Sequence, residues 1–400
     1  MKKILLLGGS AQQIIAIETA KRLGYYTILC DFLPDNPGQF KADIFYPVST
    51  TDKEAVLEVA QRQQVDGVLA YASDPAAPTA AYVAEQMGLP TNPYQSVNIL
   101  CNKALFRRFL QENGFNTPVT YGYRDSEAAL SDTGRFQLPV IVKPVDSSGS
   151  KGVTVVYSWS ELEGAITHAF AFSRSHHIII EEFIEKKHPY LIGGDIFVVD
   201  GQVVLWGLLN CHRDSTVNPL VPVGKSYPLV LGKPNLKAVK ETLQHMVDKL
   251  GLRYGAINVE AIVDRHDRVW LIDIGPRAGG NMIPDLLGMI FQVDVTEMAI
   301  SAAMGMPVDA RIQAGIPFYA THNLHTDKNG IFENIQFSEG LRNYIVRVCI
   351  YKKQGDRVEY FDNAAKALGI VFLKFKSDEE MYEVLKNINE YISVKVREDE

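Results

Sequence analysis

Six segments in the first hundred residues constrain this fold more than any other feature of the chain. KILLLG, YTILCD and DGVLAY are short apolar runs, and AIETAKRLG, DKEAVLEVAQRQQ and APTAAYVAEQMG follow them with the spacing of amphipathic helices. Strand–helix alternation of this kind specifies a parallel sheet with helices on both faces. In such doubly wound domains the ligand crevice lies outside the carboxyl ends of the strands. The chain has 400 residues, more than one hydrophobic core holds, so further domains must follow.

After residue 100 the pattern changes. CNKALFRRFLQENG reads as a helix ending at Gly114, and PVTYGY, LPVIVKPV, GVTVVYS and HIIIEEFI read as strands. Ser160 is placed to cap a helix that runs to about Phe172. DIFVVDGQVVLWGLLN and AINVEAIVDRHDRVWLIDIG read as hairpins, with LKAVKETLQHMVDKLG as a helix between them. The last stretch mixes strands (YIVRVCIYKK, IVFLKFK) with the helix DEEMYEVLKNINEYI. The expected class is α/β and α+β multidomain. Its parts are a doubly wound domain over 1–100, a two-lobed domain over 101–310 and a small α+β domain over 311–400. Within the second, the smaller lobe covers about 115–188 and the larger about 189–310.

Composition removes several function classes. Forty basic against forty-seven acidic residues give a net charge of −7, without the basic stripe that a nucleic-acid surface needs. The opening MKKILLLGGSAQQ has an apolar run of only Ile4–Leu7, ended by Gly8 and Gly9, which is a strand and shorter than a signal-peptide core. No apolar run approaches the length of about 18 residues that a membrane span requires. The four cysteines are widely separated, with no C-x-x-C pair, as expected of reduced thiols in the cytoplasm.

Four stretches carry candidate chemistry. Gly8-Gly9-Ser10 with Asp31 resembles a dinucleotide fingerprint, but the G-x-G-x-x-G template needs glycine where Ser10 and Gln13 stand. VKPVDSSGSKGV joins two strands, so it is a hairpin loop rather than a Walker A strand-to-helix loop. A loop without large side chains can lie over phosphates and offer them backbone N–H groups, with Gly149 and Gly152 permitting close approach. Read alone, it is equally a mobile turn. IIIEEFI is an apolar strand with two consecutive carboxylates, Glu181 and Glu182, which also suit the solvated edge of a sheet.

In AINVEAIVDRHDRVWLIDIG, the turn DRHD would pair Val263 with Arg268, so that Glu260 faces Leu271 and Asn258 faces Asp273. Glu260 and Asp273 then lie diagonally on one face, about 7–8 Å apart. Carboxylates at that separation can converge on Mg²⁺, which prefers oxygen ligands and bridges protein to phosphate. The alternative is a pair of hydrogen-bonded strand acids. His322 and His325 in THNLH read more simply as polar strand residues than as metal ligands.

Taken in order, these stretches, with Asn102-Lys103 opening a helix and a final DIGPRAGG, resemble an ATP-grasp enzyme of the carboxylate–amine ligase type. The plan is similar to that of glycinamide ribonucleotide synthetase, biotin carboxylase and the halves of the carbamoyl phosphate synthetase large chain. The resemblance implies ATP and Mg²⁺ as cofactors. It places Lys103 and Lys143 on the phosphates, and Ser147, Ser148, Gly149, Ser150, Lys151 and Gly152 in a loop that closes over them. It places Glu181 at the domain hinge, the backbones of Glu182 and Ile184 on adenine, and Asp195 on the ribose. It gives Glu260 and Asp273 to Mg²⁺, and Arg277 to the substrate carboxylate or acyl phosphate. Two departures stand out. The second metal acid is Asp273 where glutamate is usual, and Gly275 stands where an asparagine ligand is common, with Asn258 or Asn281 able to compensate.

The implied reaction activates a carboxylate as an acyl phosphate and joins it to an amine. The partners are small molecules, with neither nucleic acid nor membrane, and a symmetric dimer is the commonest assembly for such enzymes. The rival readings are a bicarbonate-using carboxylase of the same fold and a non-catalytic ATP-binding module. The loops at Gly9–Gln12 and Ser73-Asp74-Pro75, and CHRDSTVNPL with His212 and Arg213, are the expected walls of the substrate pocket.

Overall fold

The computed structural model describes residues 1–398. The first unit is a parallel sheet of β1 (Lys3–Leu7), β2 (Tyr26–Cys30), β3 (Ile44–Tyr46) and β4 (Gly67–Leu69), in the order β3-β2-β1-β4. Helices Ile14–Arg22, Lys53–Gln63 and Ala77–Gln86 follow the strands as the alternation requires.

The glycine-rich turn after β1 is not open to a dinucleotide. Gly8 has φ +105, and a Cβ there would meet the Gln13 side-chain amide at 2.3 Å. That amide donates to the carbonyls of Leu7 and Tyr71. Asp31, the counterpart of a ribose-binding acid, instead accepts from the N–H groups of Gly9 and Leu33. The space that a pyrophosphate needs is filled by the protein's own Gln13.

The second unit is an antiparallel sheet of β5 (Thr120–Tyr123), β6 (Val140–Pro144), β7 (Thr154–Val156) and β8 (Ile178–Glu182), in the order β5-β8-β6-β7. Strand alternation sorts its side chains. Val140, Val142, Ile178 and Ile180 pack with Leu162, Ala165 and Ile166 of the helix Leu162–Phe172. Ile141, Lys143 and Glu181 turn to the other face, toward a large cleft. The cap of this helical stretch is Ser158, not Ser160. Glu161 returns its carboxylate to the Ser158 N–H in a capping box that starts with a short 3₁₀ turn, Trp159–Glu161.

An eight-stranded sheet forms the body of the molecule. Its strands are β9 (Leu191–Val199), β10 (Gln202–Arg213), β11 (Pro222–Tyr227), β12 (Tyr254–Val263), β13 (Val269–Gly275), β14 (Tyr319–Leu324), β16 (Ile345–Ile350) and β18 (Gly369–Lys374). The order is β13-β12-β9-β10-β11-β14-β18-β16. One face buries Ile192, Ile196 and Val198 against Leu243, Met246 and Val247 of the helix Lys233–Leu250. The other buries Phe197 and Leu209 against Leu286 and Leu287 of the helix Ile283–Phe291.

One expectation changes here. The final segment is not a separate sheet beside the larger lobe, since β14, β18 and β16 extend the lobe's own sheet. Only β15 (Gly330–Phe337), β17 (Arg357–Val358) and β19 (Ile392–Arg397) form a sheet of their own. The stretch LIGG before Asp195 belongs to β9. Among the described residues no single helix is long and apolar enough to cross a membrane.

Candidate active site

Two cavities meet between the four-stranded sheet and the eight-stranded sheet. The larger, of about 680 Å³, runs from the end of β8 to the β12–β13 hairpin. The smaller, of about 370 Å³, continues toward Asp74, Arg277 and Asn281. Both are walled by Lys103, Ser147 to Ser150, Glu260 and Asp273.

The hairpin is built differently from its sequence-based register. The turn pairs Val263 with Val269, and a bulge at Ile272 then sets Glu260 directly opposite Asp273. Opposed residues of an antiparallel pair have Cβ atoms about 4.5–5.5 Å apart, so the acids are closer than a diagonal pair. The bulge also turns two consecutive carbonyls, Leu271 and Ile272, toward the helix Lys103–Glu112. Arg107 on that helix takes both, at 3.2 and 2.8 Å.

Arg107 is the functional residue that sequence reasoning missed. Its Nε lies 2.6 Å from Glu181, whose other oxygen lies 2.6 Å from Lys143 Nζ. All three side chains are almost fully buried. Burial alone would raise the Glu181 carboxyl, but the two cations outweigh it and hold it at about 2. Lys143 moves the opposite way to what one carboxylate partner would do. Burial and the nearby Arg107 charge outweigh Glu181 and lower its pKa. Two cations share one anion, and the cluster is one negative charge short. The signal was present in the sequence: Arg107 is four residues from Lys103, on the face that also buries Phe106 and Leu110.

The helix carrying Lys103 and Arg107 starts at Lys103, two residues after the expected Cys101, because Asn102 caps it by accepting from Leu105 N–H. Lys103 Nζ reaches Asp273 at 3.3 Å and the Ser147 carbonyl at 2.9 Å. The loop above it is held by its own side chains. Ser147 Oγ donates to the Lys151 carbonyl and Ser150 Oγ to the Leu220 carbonyl. Gly149, Ser150 and Gly152 all have positive φ. Among the described residues, none of the backbone N–H groups from Ser147 to Gly152 makes a hydrogen bond. A run of free N–H groups in this conformation is a concave anion receptor.

Beyond β8, the Glu182 N–H donates to the Val119 carbonyl, and the Ile184 N–H is free among the described residues. Both residues line the larger cavity.

Asp195 is a correction. It is fully buried on β9 and lines neither cavity. Its carboxylate accepts from Asn258 Nδ2 at 2.8 Å and Gly279 N–H at 2.7 Å. Burial raises its pKa despite those bonds. It fastens the β12 strand to the loop after β13, and does not face a ribose. Asn258 is committed to this bond and to the Gly194 carbonyl.

Arg277 holds Asp74 in a two-point clamp, with Nε and Nη2 at 2.7 and 2.6 Å. The Arg277 charge and hydrogen bonds overcome burial and keep the Asp74 carboxyl below its usual range. This pair explains Gly275. A Cβ at that position would stand 2.6 Å from Asp74 Oδ1 and 3.1 Å from Arg277 Cζ. An asparagine cannot occupy the space while the clamp is formed.

Among the described residues no group of three or more histidine, cysteine, aspartate or glutamate side chains could hold a metal, and the Glu260–Asp273 pair falls below that number. His322 is buried, with its pKa pushed down to about 3, as befits a neutral core residue.

Residues 136–285 match the ATP-grasp domain family. Formate-dependent phosphoribosylglycinamide formyltransferase of Burkholderia vietnamiensis is 27% identical over 316 residues, covering 77% of this chain and 76% of that protein. Among solved structures, the L-amino acid ligase of Bacillus licheniformis superposes with a TM-score of 0.82 at 20% identity, covering 99% of each chain. Phosphoribosylglycinamide synthetase of Anaerococcus prevotii superposes with a TM-score of 0.77 at 21% identity, over 99% of this chain and 100% of its own. The β6–β8 sheet with its loop and the paired acids of the β12–β13 hairpin both lie within residues 136–285, the stretch that matches the ATP-grasp domain family.

Proposed function

We propose that the chain is an ATP-dependent ligase that activates a carboxylate as an acyl phosphate and joins it to an amine, releasing ADP and phosphate. The observation that carries this reading is the run of unpaired N–H groups from Ser147 to Gly152 above a cluster short of one negative charge. Both features ask for an anion in the same cleft. A triphosphate on the larger cavity would lie under the loop with its charge against Lys103 and Lys143. Adenine would meet the Glu182 carbonyl and the free Ile184 N–H. Glu260 and Asp273, opposed across the hairpin, are the two acids that fit Mg²⁺, and the remaining ligands would be phosphate oxygens and water. The metal when bound neutralises phosphate charge that would otherwise repel the incoming carboxylate.

The residues of the chain supply the rest. Lys103 and Lys143 hold positive charge where it develops in the transition state, by position rather than by covalent chemistry. The loop excludes water, which would hydrolyse an acyl phosphate. Arg277 and Asp74 border the smaller cavity, where we place the acid and the amine.

The test is ADP and phosphate release from Mg-ATP over a grid of carboxylic acids, bicarbonate and amino acids, each with and without amines. Release that needs an acid and an amine and disappears in Glu260→Ala supports the ligase. Release with bicarbonate alone favours a carboxylase, and ATP binding without release under any condition favours a non-catalytic module. Gly275 does not argue for a non-catalytic module, since the Asp74 clamp accounts for it.

A further inference from the structure

The connection between β10 and β11, residues 214–221, ties the β6–β7 loop to the last part of the chain. Ser150 Oγ donates to the Leu220 carbonyl at 2.9 Å. Ser147 to Ser150 and the pair Pro219 and Leu220 all belong to the wall of the larger cavity, so this bond joins two parts of that wall. Ser150 has φ +63. A residue with a side chain pays free energy for that conformation and keeps it only where its surroundings hold it. The bond to Leu220 is such a hold.

The Leu220 carbonyl is itself fixed from behind. Asn218 Oδ1 accepts from the Leu220 N–H at 3.0 Å, and Asn218 Nδ2 donates to the Asp362 carbonyl at 2.9 Å. The Tyr360 hydroxyl donates to the Val217 carbonyl at 2.8 Å. Asp214, where the connection begins, accepts from Asn389 Nδ2 at 2.9 Å. Val221 and Val223 pack with Phe361 and Ala367 in a small apolar cluster of their own. Asn218, Tyr360, Asp362 and Asn389 line neither cleft cavity. The hydrogen-bonding groups that fix this strap therefore lie outside the cleft, while its far end holds a residue of the β6–β7 loop.

We propose that Asn218 and Tyr360 are positioning residues that act through Leu220 and Ser150 to latch the β6–β7 loop over a bound nucleotide. The latch sets how fast that loop opens, and so how fast nucleotide leaves. This rests on the reading above, in which the nucleotide occupies the larger cavity under the loop. A strap released from Tyr360 or from the Asp362 carbonyl lets the Leu220 carbonyl move. Ser150 then loses its acceptor and the hold on its backbone conformation together.

The experiment follows a fluorescent ADP analogue, bound with Mg²⁺ to the intact chain, as excess unlabelled ADP displaces it. Tyr360→Phe removes one hydroxyl. Asn218→Asp keeps the acceptor for the Leu220 N–H and loses the donor to Asp362. Each speeds release about 2- to 10-fold, the range of one neutral hydrogen bond. Ser150→Ala does the same from the other side of the latch. Tyr360→Phe combined with Ser150→Ala releases no faster than the faster single variant, because both changes break one linkage. Asn218→Asp decides the matter if Tyr360→Phe does not fold. A merely structural role for these side chains lowers the melting midpoint of the free chain and leaves release unchanged, and that result overturns the latch alone. Single effects that multiply in the combined variant overturn it as well. A wild-type chain that does not bind the analogue overturns the latch and the nucleotide reading together.

Discussion

Glu181 sits between two cations, and its removal exposes how much of the site depends on one carboxylate. Glu181→Gln leaves Arg107 and Lys143 buried without an anion, which should cost about 3–5 kcal/mol in urea unfolding. The pH dependence has a definite sign. Glu181 is held at about 2 against an ordinary 4.5, so its stabilisation is complete above 4.5 and is lost as pH falls toward 2. His212 and His322 are buried neutral, at about 4 and about 3 against an ordinary 6.5. Their depressed values make the unfolded chain bind more protons below 6.5, so stability declines from 6.5 downward before Glu181 begins to contribute. Unfolding midpoints measured from pH 7 to pH 3 should therefore fall throughout, and Glu181→Gln should flatten only the lowest part. The acids of the hairpin have a different signature. Asp273→Asn should lower Mg-ATP turnover at least about 100-fold while leaving the melting midpoint within a few degrees, because Asp273 is 40% exposed and loses only one contact to Lys103.

At the scale of elements, the loop between β6 and β7 and the β12–β13 hairpin are where we place the chemistry, and they were legible to different degrees. The loop was readable because small residues and glycines between two β-branched runs have few other uses. Gly152 has φ +71, and a Cβ there would meet Phe172 and Pro144 at 2.8 Å. Gly152→Ala should raise the KM for ATP and cost about 1–3 kcal/mol of stability, measured by chemical denaturation. The hairpin was legible in its residues and not in its register. A bulge depends on which carbonyls find partners, and those of Leu271 and Ile272 find Arg107, which is over 160 residues earlier. Arg107→Met should therefore lower stability and turnover together, since it frees Glu181 and loosens the bulge that sets Glu260 opposite Asp273.

At the scale of the molecule, Asp74 joins the first parallel sheet to the loop after β13. Asp74→Asn should leave Arg277 buried with a weaker partner and cost about 3 kcal/mol, seen as a lower melting midpoint. It should also reduce acid-dependent ADP release while Mg-ATP binding persists, because the clamp borders the smaller of the two cleft cavities and not the larger. What the sequence determined by itself was the set of elements and the residue types of the cleft. Local periodicity, glycine-rich turns and acids in apolar strands are properties of neighbouring residues, and the chain carries them wherever it folds. Tertiary structure alone decided the partners. It gave Asp195 to Asn258 and Gly279, filled the Gly8 turn with Gln13, traded an asparagine at 275 for the Asp74 clamp, and drew β14, β16 and β18 into the main sheet. Asp195 with Gly279, Gln13 with Tyr71 and Asp74 with Arg277 are far apart in the chain, where burial makes charges and hydrogen-bonding groups find a mate, and no local pattern records which mate they find.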